Sequence, residues 1–136
     1  MNQILEKDMM TLMVDTARIR EDLNRLEGDY TDWTRKGEER DLEDLLEDLK
    51  GAEIDVSLLL TDCVSAGCHC GEDREEVIYG DLHELFSCLD KLFHDLRTAK
   101  DQLVEAYIEG TCIEHLDVDY GRFEKLIGEI RGYLDA

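Results

Sequence analysis

Residues 78–106, IYGDLHELFSCLDKLFHDLRTAKDQLVEA, decide the fold class. Their apolar positions, Ile78, Leu82, Leu85, Leu89, Leu92, Leu96, Ala99, Leu103 and Ala106, recur at alternating intervals of four and three. That period holds one edge of an α-helix apolar along its whole length, and a strand does not produce it. Phe86 and Phe93 flank the stripe. The pattern predicts a helix from about Asp73 to Ile108, roughly 50 Å long at 1.5 Å per residue.

The same spacing recurs upstream. Leu42, Leu45, Leu49, Ala52, Val56, Leu59, Cys63 and Ala66 form a second stripe, widened by Leu46 and Leu60. Gly51 lies inside it and weakens the helix by about 1 kcal/mol relative to alanine, which marks a place for a kink. A first stripe runs Leu5, Met9, Leu12, Thr16, Ile19, Leu23, Leu26, and continues through Tyr30 and Trp33. Gly28 offers this helix an early stop. Arg35, Lys36 and Gly37 offer a later one, with basic residues suited to a helix C-terminus.

Gly67-Cys68-His69-Cys70-Gly71 reads as a loop, so that residues 67–72 join the second and third helices. Glu72, Asp73, Glu75 and Glu76 then place acid in the first turn of helix three, where the dipole favours it. Gly110 closes that helix. A less regular fourth segment carries Leu116, Phe123, Leu126, Ile127, Ile130 and Tyr133, and its helix is expected to begin near Asp119 or Tyr120. Gly121, Gly128 and Gly132 loosen it. Long helices and short loops predict an all-α fold: an elongated antiparallel helical bundle, or a coiled-coil-like assembly of three long helices plus a shorter C-terminal helix. Residues 1–136 are expected to form a single acidic domain, with surplus seam available for a homodimer.

Composition narrows the function classes. The chain has 136 residues, no proline, and 35 Asp and Glu against 15 Lys and Arg, a formal net charge of -20. Such an imbalance alone suggests disorder, but 43% of the residues are apolar, including twenty leucines, and they recur at helical spacing. The charge argues against direct contact with nucleic acid or an anionic membrane and for a basic protein surface as partner. A high-salt cytoplasm is the rival explanation of so much acid. No apolar run is long enough to span a bilayer, and residues 1–6 lack the basic and apolar regions of a secretory signal. A cytoplasmic location is therefore expected, with the five cysteines reduced or ligating metal.

Cys63, Cys68, His69 and Cys70 are the cluster richest in metal ligands. Zinc needs about four such ligands in a tetrahedron, with His69 or His83 as the fourth. The Cys-X-Cys spacing is tighter than a usual knuckle, and Cys63 occupies a core position of its helix, so inert thiols and no cofactor are the expectation. Cys112 and His115 could share a face but lie far from that loop. His83 and His94 are roughly 16 Å apart along one helix. Cys88 borders the apolar stripe.

Enzyme signatures are few. Three residues before His83, His94 and His115 stand Gly80, Lys91 and Cys112, so the Glu-X-X-His pattern of di-iron bundles is missing. Glu72 with Glu75 and Glu76, or Glu43 with Glu47, resembles a magnesium-holding edge of a helical nucleotide hydrolase, but neither has an evident phosphate-binding set beside it. Phosphate-loop, dinucleotide, kinase and serine-nucleophile motifs are missing too. The chain is expected not to be an enzyme.

The acid is densest between residues 38 and 55, where Glu38, Glu39, Asp41, Glu43, Asp44, Glu47, Asp48, Glu53 and Asp55 face only Arg40 and Lys50. Like charges four apart cost a few tenths of a kcal/mol each, so this density exceeds what solubility requires. Carboxylates on a stiff helix resemble the spaced charges of a polynucleotide backbone. These nine residues are expected to bind a cationic partner, a nucleic-acid-processing enzyme or a restriction or RNA-guided defence complex, by occluding its channel. An adaptor that recruits other helices, with Tyr30 and Trp33 as apolar anchors, is the alternative.

Overall fold

The computed structural model describes residues 2–71, 76–111, 113, 116, 118 and 121–135. They contain four helices: α1 (Gln3–Lys36), α2 (Glu39–Cys68), α3 (Glu76–Glu109) and α4 (Gly121–Asp135). Three are 30–34 residues long and the last is 15. The expected all-α architecture is the observed one. Glu72, Asp73, Glu75, Cys112, His115, Asp119 and Tyr120, to which the sequence analysis gave roles, lie outside the described residues.

Local chemistry sets the helix ends. Asn2 has extended backbone and its Oδ1 accepts the Leu5 N–H at 2.7 Å, satisfying a donor that the first turn leaves unpaired. Gly28 does not stop α1. The stop is Gly37, in the left-handed region at φ 67°, whose N–H donates to Trp33 O at 2.8 Å. Only Gly37 and Glu38 separate α1 from α2, so these helices must run antiparallel. α2 is helical through Gly51. Gly110 ends α3 at φ 72°, with the Thr111 N–H reaching Ala106 O at 2.9 Å.

The helices pack as a ring, α1 on α2, α2 on α3, α3 on α4 and α4 on α1. Every member of the second and third stripes is buried, and so is every member of the first except half-buried Tyr30. The short α4 fills only half of the fourth corner, through Phe123, Leu126, Ile127 and Ile130. Ile113, Leu116 and Val118, outside any helix, pack against the core as well. Leu116 and Val118 share a cavity of about 300 Å³ with Leu23, Leu26 and Tyr30. The Tyr30 hydroxyl donates to Ile113 O at 3.3 Å. Tyr133 of α4 donates to the Asp81 carboxylate of α3.

One expectation changes here. Trp33 is 5% exposed and packs beside Tyr30, with ring centroids 6.4 Å apart. Both serve the interior, because they continue the first stripe to the last turn of α1. Trp33 is therefore not available as an anchor for a partner.

Replacing Leu89, which is fully buried, with alanine should cost about 2–5 kcal/mol. Gly110→Ala should cost about 1–2 kcal/mol through its left-handed backbone alone. Urea unfolding followed by circular dichroism measures both.

Candidate functional site

The antiparallel turn at Gly37–Glu38 brings two rows of aspartate face to face. α1 carries Asp8, Asp15, Asp22 and Asp29, and α2 carries Asp41, Asp48, Asp55 and Asp62, each row stepping by seven residues. In both helices the row lies one position before a member of the buried stripe, so it borders the shared seam. Asp15 faces Asp62, Asp22 faces Asp55, and Asp48 faces Asp29. Seven residues beyond the first rung, Asp8 meets the His69 ring. Successive rungs lie about 10 Å apart at the rise of an α-helix.

These carboxyls are unusual in their surroundings. Asp15 and Asp22 are 5% and 8% exposed, the only two acids inside the buried layer of the described residues. The Oδ2 atoms of Asp15, Asp22, Asp41 and Asp48 are buried and meet no hydrogen-bond donor of the protein. Burial, then the hydrogen bond to the facing carboxyl, pushes Asp15, Asp22 and Asp48 well above the usual carboxylate range, to about 7. Arg18 and Arg25 oppose this in part, and Arg25 Nη1 lies 3.7 Å from Asp22 Oδ1. Two like charges held across a seam cannot both ionise at low cost.

The nine acids between residues 38 and 55 divide by direction. Glu38, Glu39, Glu43, Asp44 and Glu47 are exposed along the first turns of α2. Of these, Glu39 accepts a hydrogen bond from the Tyr107 hydroxyl. Asp41, Asp48 and Asp55 are half-buried members of the seam row. Glu53 turns the other way, toward α3, where Lys100 Nζ approaches it at 2.7 Å and Arg97 Nε at 3.5 Å. The residues therefore do not form one uniform ridge. The α1 row was overlooked in the sequence, although its seven-residue repeat is visible there. Its signal was masked because each aspartate sits among many other acids.

The cysteine loop is occupied by other bonds. Cys63 is buried, its Sγ donates to Leu82 O at 3.1 Å, and burial pushes its thiol up to about 12. His69 faces Asp8, and its backbone oxygen accepts from Asn2 Nδ2 at 3.0 Å. Cys70 Sγ points to Ala66 O at 3.6 Å. Among the described residues no three Cys, His, Asp or Glu side chains converge as metal ligands would. Beside the loop, Cys63, Cys68, Tyr79, His83 and Phe86 line a mainly apolar cavity of about 380 Å³. His94 lies near Asp90, and His83 is exposed.

No helix of the described residues is long and apolar enough to cross a membrane. No protein-family model, curated protein or solved structure matches the chain.

Cys68 is exposed with a free thiol, whereas Cys63 is sealed in the core. A disulfide-exchange reagent should modify Cys68 within minutes at pH 8. It should reach Cys63 only as fast as the protein unfolds, as peptide mass mapping over time would record.

Proposed function

We propose that the protein acts by binding, without turnover, and that its partner is a protein with a cationic groove of the kind that otherwise holds a nucleic-acid backbone. One observation carries this reading: exposed carboxylates crowd the first turns of the long, stiff α2, beside the half-buried Asp41 and Asp48. Exposed Glu38, Glu43, Asp44 and Glu47 would make the direct contacts. The aspartate rows behind them would add to the field that steers a basic partner. Restriction or RNA-guided nucleases are partners of this chemistry, and the action would be occlusion of their channel.

A second reading has an observation of its own. Val64, Tyr79 and Phe86 are each 40–51% exposed on α2 and α3, beside the cavity at Cys63. An adaptor would use that apolar face.

The two readings separate in one experiment. Capture of host proteins on the immobilised chain is compared at 50 and 500 mM salt, for the native chain and two variants. The first variant is Glu43→Lys, Asp44→Lys, Glu47→Lys; the second is Val64→Ser, Phe86→Ser. Mimicry predicts that the charge variant and high salt each weaken capture at least tenfold, and that duplex DNA or RNA competes for the captured protein. Capture that survives both and is lost in the apolar variant would establish the adaptor instead.

A further inference from the structure

The aspartate rungs have a property that does not depend on any partner. Where antiparallel helices flank their seam with charge, opposite signs attract and like signs repel. Here both helices present carboxyls at three consecutive rungs. Two of these acids are more than nine-tenths buried, and each keeps an oxygen that no protein donor reaches. A buried carboxylate left in that state costs several kcal/mol. A proton is the smallest species that removes the repulsion and supplies the missing donor together.

We propose that the α1–α2 seam is a proton latch: Asp15–Asp62, Asp22–Asp55 and Asp29–Asp48 each close by sharing one proton and loosen by repulsion when it leaves to water. Each closed rung is a carboxyl donating its O–H to the facing carboxylate. The loss of that proton leaves two carboxylates across the seam.

The groups that face each rung set its poise. Asp15 meets Asp62 and Asp55 from α2 and Arg18 from its own helix. Asp22 meets Asp55 from α2, with Arg25 and Arg18 beside it. Asp48 meets Asp29 and Arg25 from α1, and Asp44 from α2. The ion pair of α1 with α4, Arg20 Nε to Glu124 Oε1 at 3.5 Å, belongs to the opposite edge of α1. Asp8 and His69 end the row with a pair that is attractive when His69 is protonated.

The direction of the effect follows from linkage. Asp15, Asp22 and Asp48 hold their protons to about pH 7 in the folded chain, whereas the ordinary value is 3.8. Between these values the folded state binds protons that the unfolded chain has released. Stability therefore falls as pH rises from about 4 to about 7, and the rungs contribute nothing favourable above that window. Near neutrality a modest change of pH shifts the latch.

A chain of such high negative charge gains some stability in acid for general reasons, so the test needs a matched control. Carboxyl carbon-13 resonances of the native chain are titrated by NMR from pH 3 to pH 9. Melting temperatures are recorded at pH 5.5 and 8.5 with a chelator present. The same melting is repeated for Asp15→Asn, Asp22→Asn, Asp29→Asn, and for the control Glu38→Gln, Glu43→Gln, Glu47→Gln, which removes equal charge from the surface. The latch predicts three proton-binding steps near pH 7 among the rung aspartates. It also predicts a native melting temperature on the order of 10 °C higher at pH 5.5 than at pH 8.5. The rung variant should lose most of that difference and melt above the native chain at pH 8.5, while the control keeps it. Rung aspartates that all titrate below about pH 5 would overturn the proposal. So would a control that flattens the pH dependence as much as the rung variant does. If the rung variant does not fold, the native titration alone decides.

Discussion

Apolar packing between α1 and α2, joined by a two-residue turn, is the constraint on which the rest of the structure depends. Leu5 through Trp33 on one helix and Leu42 through Ala66 on the other supply a continuous buried seam. Gly37, with its left-handed backbone, turns the chain in so few residues that the two helices have no freedom to slide by a heptad. With the register fixed, everything bordering the seam is fixed as well. Asp8 falls opposite His69, and three aspartates of α1 fall opposite three of α2. The leucines thus decide where the acids meet.

This arrangement explains how so acidic a chain holds a compact helical fold. Most acids among the described residues lie on solvated faces, where repulsion is weak and screened. Glu53 is neutralised by Lys100 and Arg97, and this pairing ties α2 to α3. Three rungs remain where acids face acids in low dielectric, and there a shared proton removes a charge that the formal total counts. The seam is held by hydrocarbon, and its outer border is held or loosened by protons.

Much of the fold was legible in the sequence. An apolar stripe is a property of one helix, and each stripe names its own buried residues without knowledge of its neighbour. Glycines at 37 and 110 marked the stops because helix C-termini need the left-handed backbone they allow. What the sequence left hidden depends on pairing. Asp15 reads as one more surface acid until Asp62 stands opposite it. Glu53 and Asp48 belong to one acidic run, yet they point to different helices. Tyr30 and Trp33 could equally have been anchors or core until Ile113, Leu116 and Val118 were in place. The half-helical fourth corner was also only partly readable, because Leu116 packs inward from outside any helix.

The register of the aspartate rows is the central claim, and a double-mutant cycle at pH 8.5 tests it most directly. Asp22→Asn and Asp55→Asn are made singly and together, and unfolding free energies are compared with those for Asp29→Asn and Asp62→Asn, two rungs out of register. Facing residues should be strongly non-additive, since either substitution alone already relieves the repulsion, with a coupling of at least about 1 kcal/mol. The out-of-register pair should add to within about 0.5 kcal/mol. Equal additivity in both cycles, or stronger coupling between Asp29 and Asp62, would contradict the account.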